Sequence, residues 1–367
     1  MTTACDSAST PIVAPDSQAL QHAQSTRALA DLLLWAQRAH ASHMQWTSAH
    51  AIGPLRFVVQ SNDPMARQWL TRCLLSAPDS EREPDFTLSV FSGEAAPHLD
   101  PPPWNFPHTD ARHLERLQLS PDGCLSAYFD FDHGFWFMLN KETRQAVVWM
   151  SNLKDLPFWE EAAPFRQIIQ WQMNQTNMTM LHAGVVTDTH HGVLLTGPSG
   201  SGKSTTVAAC LQAGLKVCGD DLVAVEYTPP GWLAHSVYDA VKLLPGSAIA
   251  PPPVLANAAW SDCGDKRLVR YSDTQPNGQV PSTPLHALAH CVISGEPTSR
   301  LTLIPPAALL MALGPSTAFM LRGRESHVLS QASRLARSLP CYRLSLGRDP
   351  AEAATLIGQW LENFENA

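Results

Sequence analysis

The sequence carries no surplus of positive charge. Its 25 Lys and Arg stand against 33 Asp and Glu, a formal balance of 25 − 33 = −8. Such a chain has no overall electrostatic pull toward DNA, RNA or an anionic membrane, which argues against a dedicated nucleic-acid or membrane binder. Cysteines are present (Cys5, Cys73, Cys124, Cys210, Cys218, Cys263, Cys291 and Cys341), but no two form a C-x-x-C pair. That absence argues against a zinc ribbon and a thioredoxin-type site. No run of about 18 apolar residues reads as a membrane span. No basic-then-apolar leader opens the chain, so the expectation is a soluble protein of the reducing cytoplasm. What the chain does have is 367 residues, 44% of them hydrophobic. That is enough to build a core, and at about 100–200 residues per domain it suggests two domains, or one with a large extension.

Residues 1–16 are small and polar and read as a disordered tail. From Ser17 to Trp46 the apolar residues Leu29, Leu32, Leu33 and Ala36 recur at helical spacing. A strand is expected over Leu55–Val59, a helix over Pro64–Leu75 and a strand over Phe86–Phe91. Residues 93–112, with five prolines, cannot be regular structure. Then comes a β-meander: Leu114–Leu119, Cys124–Phe131, Phe135–Leu139 and Ala146–Met150, separated by turn compositions such as Pro121-Asp122-Gly123. Trp104, Trp136 and Trp149 fall in or near it and are expected to be buried. A helix after Pro164 carries Phe165, Ile168, Ile169 and Met173 on one face. Residues 17–178 therefore read as an α+β domain with an antiparallel sheet, and 179–367 as a second, catalytic domain. In the second, Met180–Val186 and Val193–Thr196 are strands joined by a turn at His190-His191-Gly192.

At 197–204 the residues are G-P-S-G-S-G-K-S, a complete G-x-x-x-x-G-K-[S/T] phosphate loop. Gly197, Gly200 and Gly202 let the backbone turn tightly enough for successive N–H groups to face phosphate oxygens. Pro198, Ser199 and Ser201 complete the loop, and Thr205 lies just beyond it. Lys203 adds a cation for the β- and γ-phosphates, and the Ser204 hydroxyl is suited to Mg²⁺. A strand precedes the loop, and a helix over Ser204–Leu211 follows, its N-terminus favouring negative charge. Gly214 stops that helix, and a short strand over Leu215–Cys218 leads to Asp220-Asp221. Two adjacent carboxylates at a strand end suit phosphoryl transfer: one to hold Mg²⁺, the other to take a proton from an incoming hydroxyl. His182 is expected on the strand paired with the one feeding the loop, where it could approach the γ-phosphate, but on pattern alone it reads as a packed or capping residue.

In order and spacing, Leu181-His182-Ala183, Gly197–Ser204, Gly214 and Asp220-Asp221 resemble the core of the HPr kinase/phosphorylase family, over about Leu181–Tyr227. The segments Val241-Lys242-Leu243, Asp265-Lys266-Arg267, Arg300–Leu310 and Pro340–Leu344 look most like the divergent HPr kinase-related kinase B group. The resemblance implies an α/β fold like that of phosphoenolpyruvate carboxykinase. It also implies transfer of phosphoryl from ATP, with Mg²⁺, to a serine hydroxyl. By position it makes Lys203 a phosphate ligand, Asp220 the general base, Ser204 and Asp221 metal ligands, and His182 a group lining the reacting phosphate. The family's Glu-x-Arg-Gly signature is missing: Arg322-Gly323 lacks the Glu, and Glu226 stands too near the Asp pair. That omission puts the reverse reaction, and HPr as substrate, in doubt. Lys242, Lys266, Arg267 and Arg270 are candidate replacement cations.

The function expected from the sequence is thus a cytoplasmic serine kinase acting on a protein or peptide. Alternatives are a kinase for a small-molecule hydroxyl and a nucleotide-binding scaffold without catalysis. A transporter ATPase is disfavoured because no L-S-G-G-Q segment is present. The N-terminal half is left to recognise the acceptor, mediate oligomerisation or complete the core.

Overall fold

Alternating apolar residues build two large sheets, and a single apolar cluster joins them. The computed structural model describes residues 17–365, apart from 41–43, 79–81, 96, 98, 104–114, 120–123, 131–132, 174–175, 244–260, 264–265 and 321–324. The expected tail, most of the proline-rich stretch with Trp104, the Pro121-Asp122-Gly123 turn and Arg322-Gly323 lie outside the described residues.

The first part of the chain runs α1 (Ser17–His40), β1 (Trp46–Ile52), β2 (Leu55–Ser61), α2 (Pro64–Leu70), β3 (Phe86–Ser92), β4 (Glu115–Leu119), β5 (Leu125–Asp130), β6 (Phe135–Asn140), β7 (Gln145–Met150), α3 (Phe158–Ala162) and α4 (Arg166–Met173). Its strands form one sheet in the order β1-β2-β3-β7-β6-β5-β4. The expected meander is there, β4 to β7 pairing antiparallel in sequence. Three expectations are corrected. The helix expected to reach Trp46 stops at His40, and Trp46 opens a strand. Ile52 opposes Leu55 across a tight turn in which Gly53 takes φ +54°, the left-handed region that glycine enters freely. The helix from Pro64 ends at Leu70 rather than Leu75. Its start is as expected, with Pro64 in the first turn and the Asp63 carboxylate accepting from Met65 N at 2.8 Å. Finally, the sheet is mixed rather than antiparallel, because β3 runs parallel to both β2 and β7. The β2–α2–β3 crossover sets the first pairing, and the long connection after β3 carries the chain to the far edge, so that β7 returns beside β3.

The second part comprises β8 (Met178–Leu181), β9 (Gly184–Thr187), β10 (Gly192–Thr196), α5 (Lys203–Gln212), β11 (Lys216–Gly219), β12 (Val223–Thr228), β13 (Gly231–Ser236), β14 (Val241–Leu243), β15 (Ser261–Cys263), β16 (Lys266–Val269), α6 (Tyr271–Thr274), β17 (Ser282–Ile293), β18 (Arg300–Leu303), α7 (Pro306–Met320), α8 (Glu325–Ser338), β19 (Cys341–Leu346) and α9 (Pro350–Glu365). Nine strands form a sheet in the order β11-β9-β10-β17-β13-β12-β8, with β19 on β17 and β18 on β19. The 12-residue β17 is long enough to pair with β13 over its first half and β19 over its second. Helices α5 and α9 cover one face and α7 and α8 the other. The chain is a mixed α/β protein with several sheets, as the sequence indicates at that level.

The strand expected over Met180–Val186 is broken. β8 pairs with β12, whereas β9 pairs with β10 and β11. His182 sits in the break and is not on a strand beside β10, so its backbone is not tied up in the ladder.

Around α1, Leu32, Trp35 and Ala36 pack on Phe91, Trp136, Met138 and Trp149. On the opposite face of the first sheet, Phe57, Phe86 and Leu88 share one buried cluster with Ile168 and Ile169 of α4, Met178 and Met180 of β8, and Leu222 and Ala224. Hydrogen bonds reinforce this junction: Asp239 N donates to Cys73 O at 2.7 Å, and the Tyr238 hydroxyl donates to Pro164 O at 3.0 Å. The core therefore crosses the 178/179 boundary. Phe57 is 1% exposed and stacks on Phe86 with centroids 5.1 Å apart. Phe57→Ala is expected to cost about 3–5 kcal/mol. Chemical denaturation checks this, and a loss below about 1.5 kcal/mol would mean the site collapses without a cavity. Among the described residues no helix is long and apolar enough to cross a membrane.

Candidate functional site

The C-terminal end of β10 opens into the 197–204 loop, and α5 starts at Lys203. Three glycines give the loop its shape, with φ +148° at Gly197, +80° at Gly200 and +95° at Gly202. At Gly202 there is also no room: an added Cβ would lie 2.5 Å from Leu346 Cδ1. Gly202→Ala combines left-handed strain of about 1–2 kcal/mol with that collision. A thermal melt is expected to show the loss of stability, and nucleotide affinity should fall with it. An unchanged melting temperature would show that the loop tolerates another path.

Gly202 caps α5 without a side chain, so no side-chain oxygen satisfies the N–H groups of the first turn. An uncapped N-terminus carrying partial positive charge is built to receive an anion. Beside it the buried Lys203 ammonium donates to Gly197 O at 2.7 Å and Pro198 O at 3.2 Å.

Below and beside the loop, β11 ends in Asp220-Asp221, and the two carboxylates face different surroundings. Asp220 is 2% exposed. Burial and the neighbouring Asp221 charge push its carboxyl up from the ordinary value, while Ser204, Lys203 and Lys242 pull it partly back. The Ser204 hydroxyl lies close enough to favour the charged form, yet neither Asp220 oxygen completes a hydrogen bond of ordinary geometry. Asp221 takes φ +68°, a strained conformation that aspartate tolerates better than most residues. Its Oδ2 forms an ion pair with Lys242 of β14, and its Oδ1 lies 3.3 Å from His182 Nε2. Burial opposes its charge, but Lys242 and then His182 hold this carboxyl well below the ordinary range. Lys242 is held protonated in return: burial opposes its charge, and the Asp221 carboxylate overcomes that. His182 is fixed from its backbone, the N–H donating to Thr317 Oγ1 of α7 at 3.1 Å.

These groups surround a cavity of about 650 Å³ lined by Ser199–Thr205, His182, Asp221, Lys242, Leu243, Ser316 and Met320. Of the residues expected from the motif, Ser199, Gly200, Ser201, Gly202, Lys203, Ser204 and Thr205 line it. Gly197 and Pro198 lie behind it and anchor Lys203. Asp221 and His182 face the cavity. Asp220 does not line it and sits next to Ser204. Among the candidate cations whose side chains are described, Lys242 is placed here and Arg270 is not. Arg270 is tied to Asp273, with Nε 2.9 Å from Oδ2, and the side chains of Lys266 and Arg267 lie outside the described residues. Glu226 pairs with His235 at 3.1 Å and does not line the cavity. Sequence reasoning missed Leu243, Ser316, Met320 and Thr317. The three on α7 lie more than a hundred residues from the loop, and nothing local marks them.

Buried polar atoms without a partner gather here as well: Thr196 Oγ1, Ser201 Oγ, His182 Nδ1 and both oxygens of Asp220. Burying such atoms unpaired is costly, and those beside the cavity are placed to be satisfied by a polar ligand. The hydroxyl of Ser204 and the carboxylates of Asp220 and Asp221 form a hard, all-oxygen donor set, the chemistry that suits Mg²⁺.

No family model and no curated protein matches the chain. Among solved structures, it is similar to the HPr(Ser) kinase/phosphatase from Coxiella burnetii. The match has 14% sequence identity and a TM-score of 0.30, and it covers 51% of this chain and 99% of that one. At that level it is a weak likeness in fold, and the functional reading rests on the residues described above.

Proposed function

We propose that this chain is an ATP-dependent kinase that transfers the γ-phosphoryl group to a serine hydroxyl of a protein or peptide. In this reading residues 179–367 form a phosphate-loop catalytic domain related to the HPr kinases and phosphoenolpyruvate carboxykinase. The observation that carries it is the cavity in which an uncapped helix N-terminus, a buried Lys203 and the Asp221 carboxylate meet, with the buried Asp220 next to Ser204 at its edge. Loop N–H groups from 197–205 and the Lys203 ammonium receive the β- and γ-phosphates, and the negative charge of the phosphates is favoured by the α5 dipole. Ser204 and Asp221 would hold Mg²⁺, which supplies charge neutralisation on the transferring group. Asp221 is suited to that role because it is held ionised. Asp220, whose carboxyl is raised, is suited to take the proton of the acceptor hydroxyl. Adjacent carboxylates driven in opposite directions supply such a division of labour. As the acceptor oxygen bonds to the γ-phosphorus, the bond from that phosphorus to the bridging oxygen breaks. ADP leaves with the electron pair, and the hydroxyl proton passes to Asp220. His182 lines the reacting phosphate from the break between β8 and β9.

The described cysteines are all free thiols, which supports a reducing compartment such as the cytoplasm. The test is incubation of the protein with γ-labelled ATP, Mg²⁺ and fractionated cell extract. Label on serine of a polypeptide is the expected product. Label on a small molecule would replace the acceptor class, and ATP binding without any transfer would make the chain a nucleotide-binding scaffold.

A further inference from the structure

The Asp221–Lys242 ion pair is hard to explain as a stabilising feature. Its members are 22% and 14% exposed, and the pair faces a cavity rather than a packed core. Taking two charges out of water costs several kcal/mol per ion, which an ion pair recovers only with good geometry and further hydrogen bonds. Lys242 has no hydrogen bond to any other group among the described residues, and Asp221 sits on strained backbone. The lysine also comes from an unexpected place. β14 belongs to a separate three-stranded sheet, ordered β14-β16-β15, so that small sheet brings a second ammonium to the lining of the cavity. Leu243, next in the strand, lines the same wall.

We propose that Lys242 is a second phosphate-directed cation of the cavity: it neutralises Asp221 when the cavity is empty and changes partner to the terminal phosphoryl group when a nucleoside triphosphate enters. The inference rests on the kinase reading and adds to it a specificity residue that separates triphosphate from diphosphate. The chemistry favours the exchange. A terminal phosphoryl offers three oxygens and up to two charges, against the single charge of a carboxylate, and an ammonium on a flexible stem can turn without moving the backbone. Lys203 is tied to the loop's own carbonyls and meets any phosphate bound there, whereas Lys242 is held, among the described residues, only by Asp221, on the carboxylate side of the cavity, and is placed to answer the added charge of a third phosphoryl group. The exchange also frees Asp221 for the cation-binding role assigned above.

The test compares calorimetric binding of a non-hydrolysable ATP analogue and of ADP, with Mg²⁺, by wild type, Lys242→Met and Lys242→Arg. The expected result is a 10- to 100-fold loss of analogue affinity in Lys242→Met, ADP affinity kept within about twofold, and partial rescue in Lys242→Arg. Equal losses for both nucleotides, or none, would overturn the inference and leave Lys242 a structural partner of Asp221. Should Lys242→Met not fold, reductive ¹³C-methylation of the wild-type lysines gives a second readout. The Lys242 resonance, assigned by its absence in Lys242→Arg, should shift with the analogue and not with ADP; a shift with both, or with neither, contradicts the exchange. A wild type that binds neither nucleotide overturns the kinase reading itself, which is a different outcome from a Lys242→Met variant that discriminates as wild type does.

Discussion

Asp220→Asn is expected to lower phosphoryl transfer by about 10²–10⁴-fold, the range for removing a positioned base, while ATP affinity stays within a few-fold. The same change is expected to stabilise the fold at any pH where Asp220 is ionised. Burial and the adjacent Asp221 charge raise the Asp220 carboxyl above its unfolded value, so between those two values the folded state binds more proton than the unfolded one. In that window stability falls as pH rises, and above it the buried charge opposes folding in full. Asparagine carries no such charge. The variant should melt above wild type on the alkaline side of the window, by about 2–4 °C for each kcal/mol recovered, and the gap should close as the pH is lowered through it. A less active and more stable variant is the signature of a strained functional carboxylate. Full transfer activity in Asp220→Asn would remove it as the base. Asp221→Asn would then be the variant to examine, since Asp221 is the carboxylate facing the cavity.

Lys203→Ala is expected to fail in a different way. Charge-assisted hydrogen bonds contribute about 1.5–3 kcal/mol, so ATP affinity should fall roughly 10- to 150-fold and transfer should fall further. ADP should lose affinity as well, since Lys203 belongs to the loop. That pattern separates it from Lys242→Met, where only the triphosphate is expected to suffer. Isothermal titration with both nucleotides checks the distinction. A Lys203→Ala protein that binds ATP as wild type does would show that the loop is not the phosphate site.

The loop was legible because its chemistry is contiguous. N–H groups that converge on one anion come from consecutive residues, and glycine enters the positive φ such a turn needs most freely, as Gly197, Gly200 and Gly202 do. The acidic pair was legible for a related reason: one helix and one short strand leave a narrow range of spacings back to β10. The two carboxylates could not be told apart from sequence, because what separates them is distant. Asp221 is set by Lys242, 21 residues on, and by His182, 39 residues before. His182 lies off the strand expected for it: its polarity and the small residues beside it interrupt the apolar run, but nothing local says that β8 and β9 part there to join different neighbours. Pairing direction was hidden in the same way. The local pattern of β3 marks a strand but not that it runs parallel to β7, which depends on the connection after residue 92. The α7 residues beside the cavity are placed by the packing of α7 and α8 on the sheet, and no local signal announces them.

The central claim is that nucleotide triphosphate binds between the 197–205 loop and the Asp221–Lys242 wall. Hydrogen exchange of the wild-type protein, with and without a non-hydrolysable ATP analogue in Mg²⁺, tests it most directly. Slowed exchange is expected across 197–205 and in the peptides covering 220–222 and 241–243, with the outer strands β1 and β4 unchanged. Protection confined to any other part of the chain, or none at saturating analogue, would contradict it.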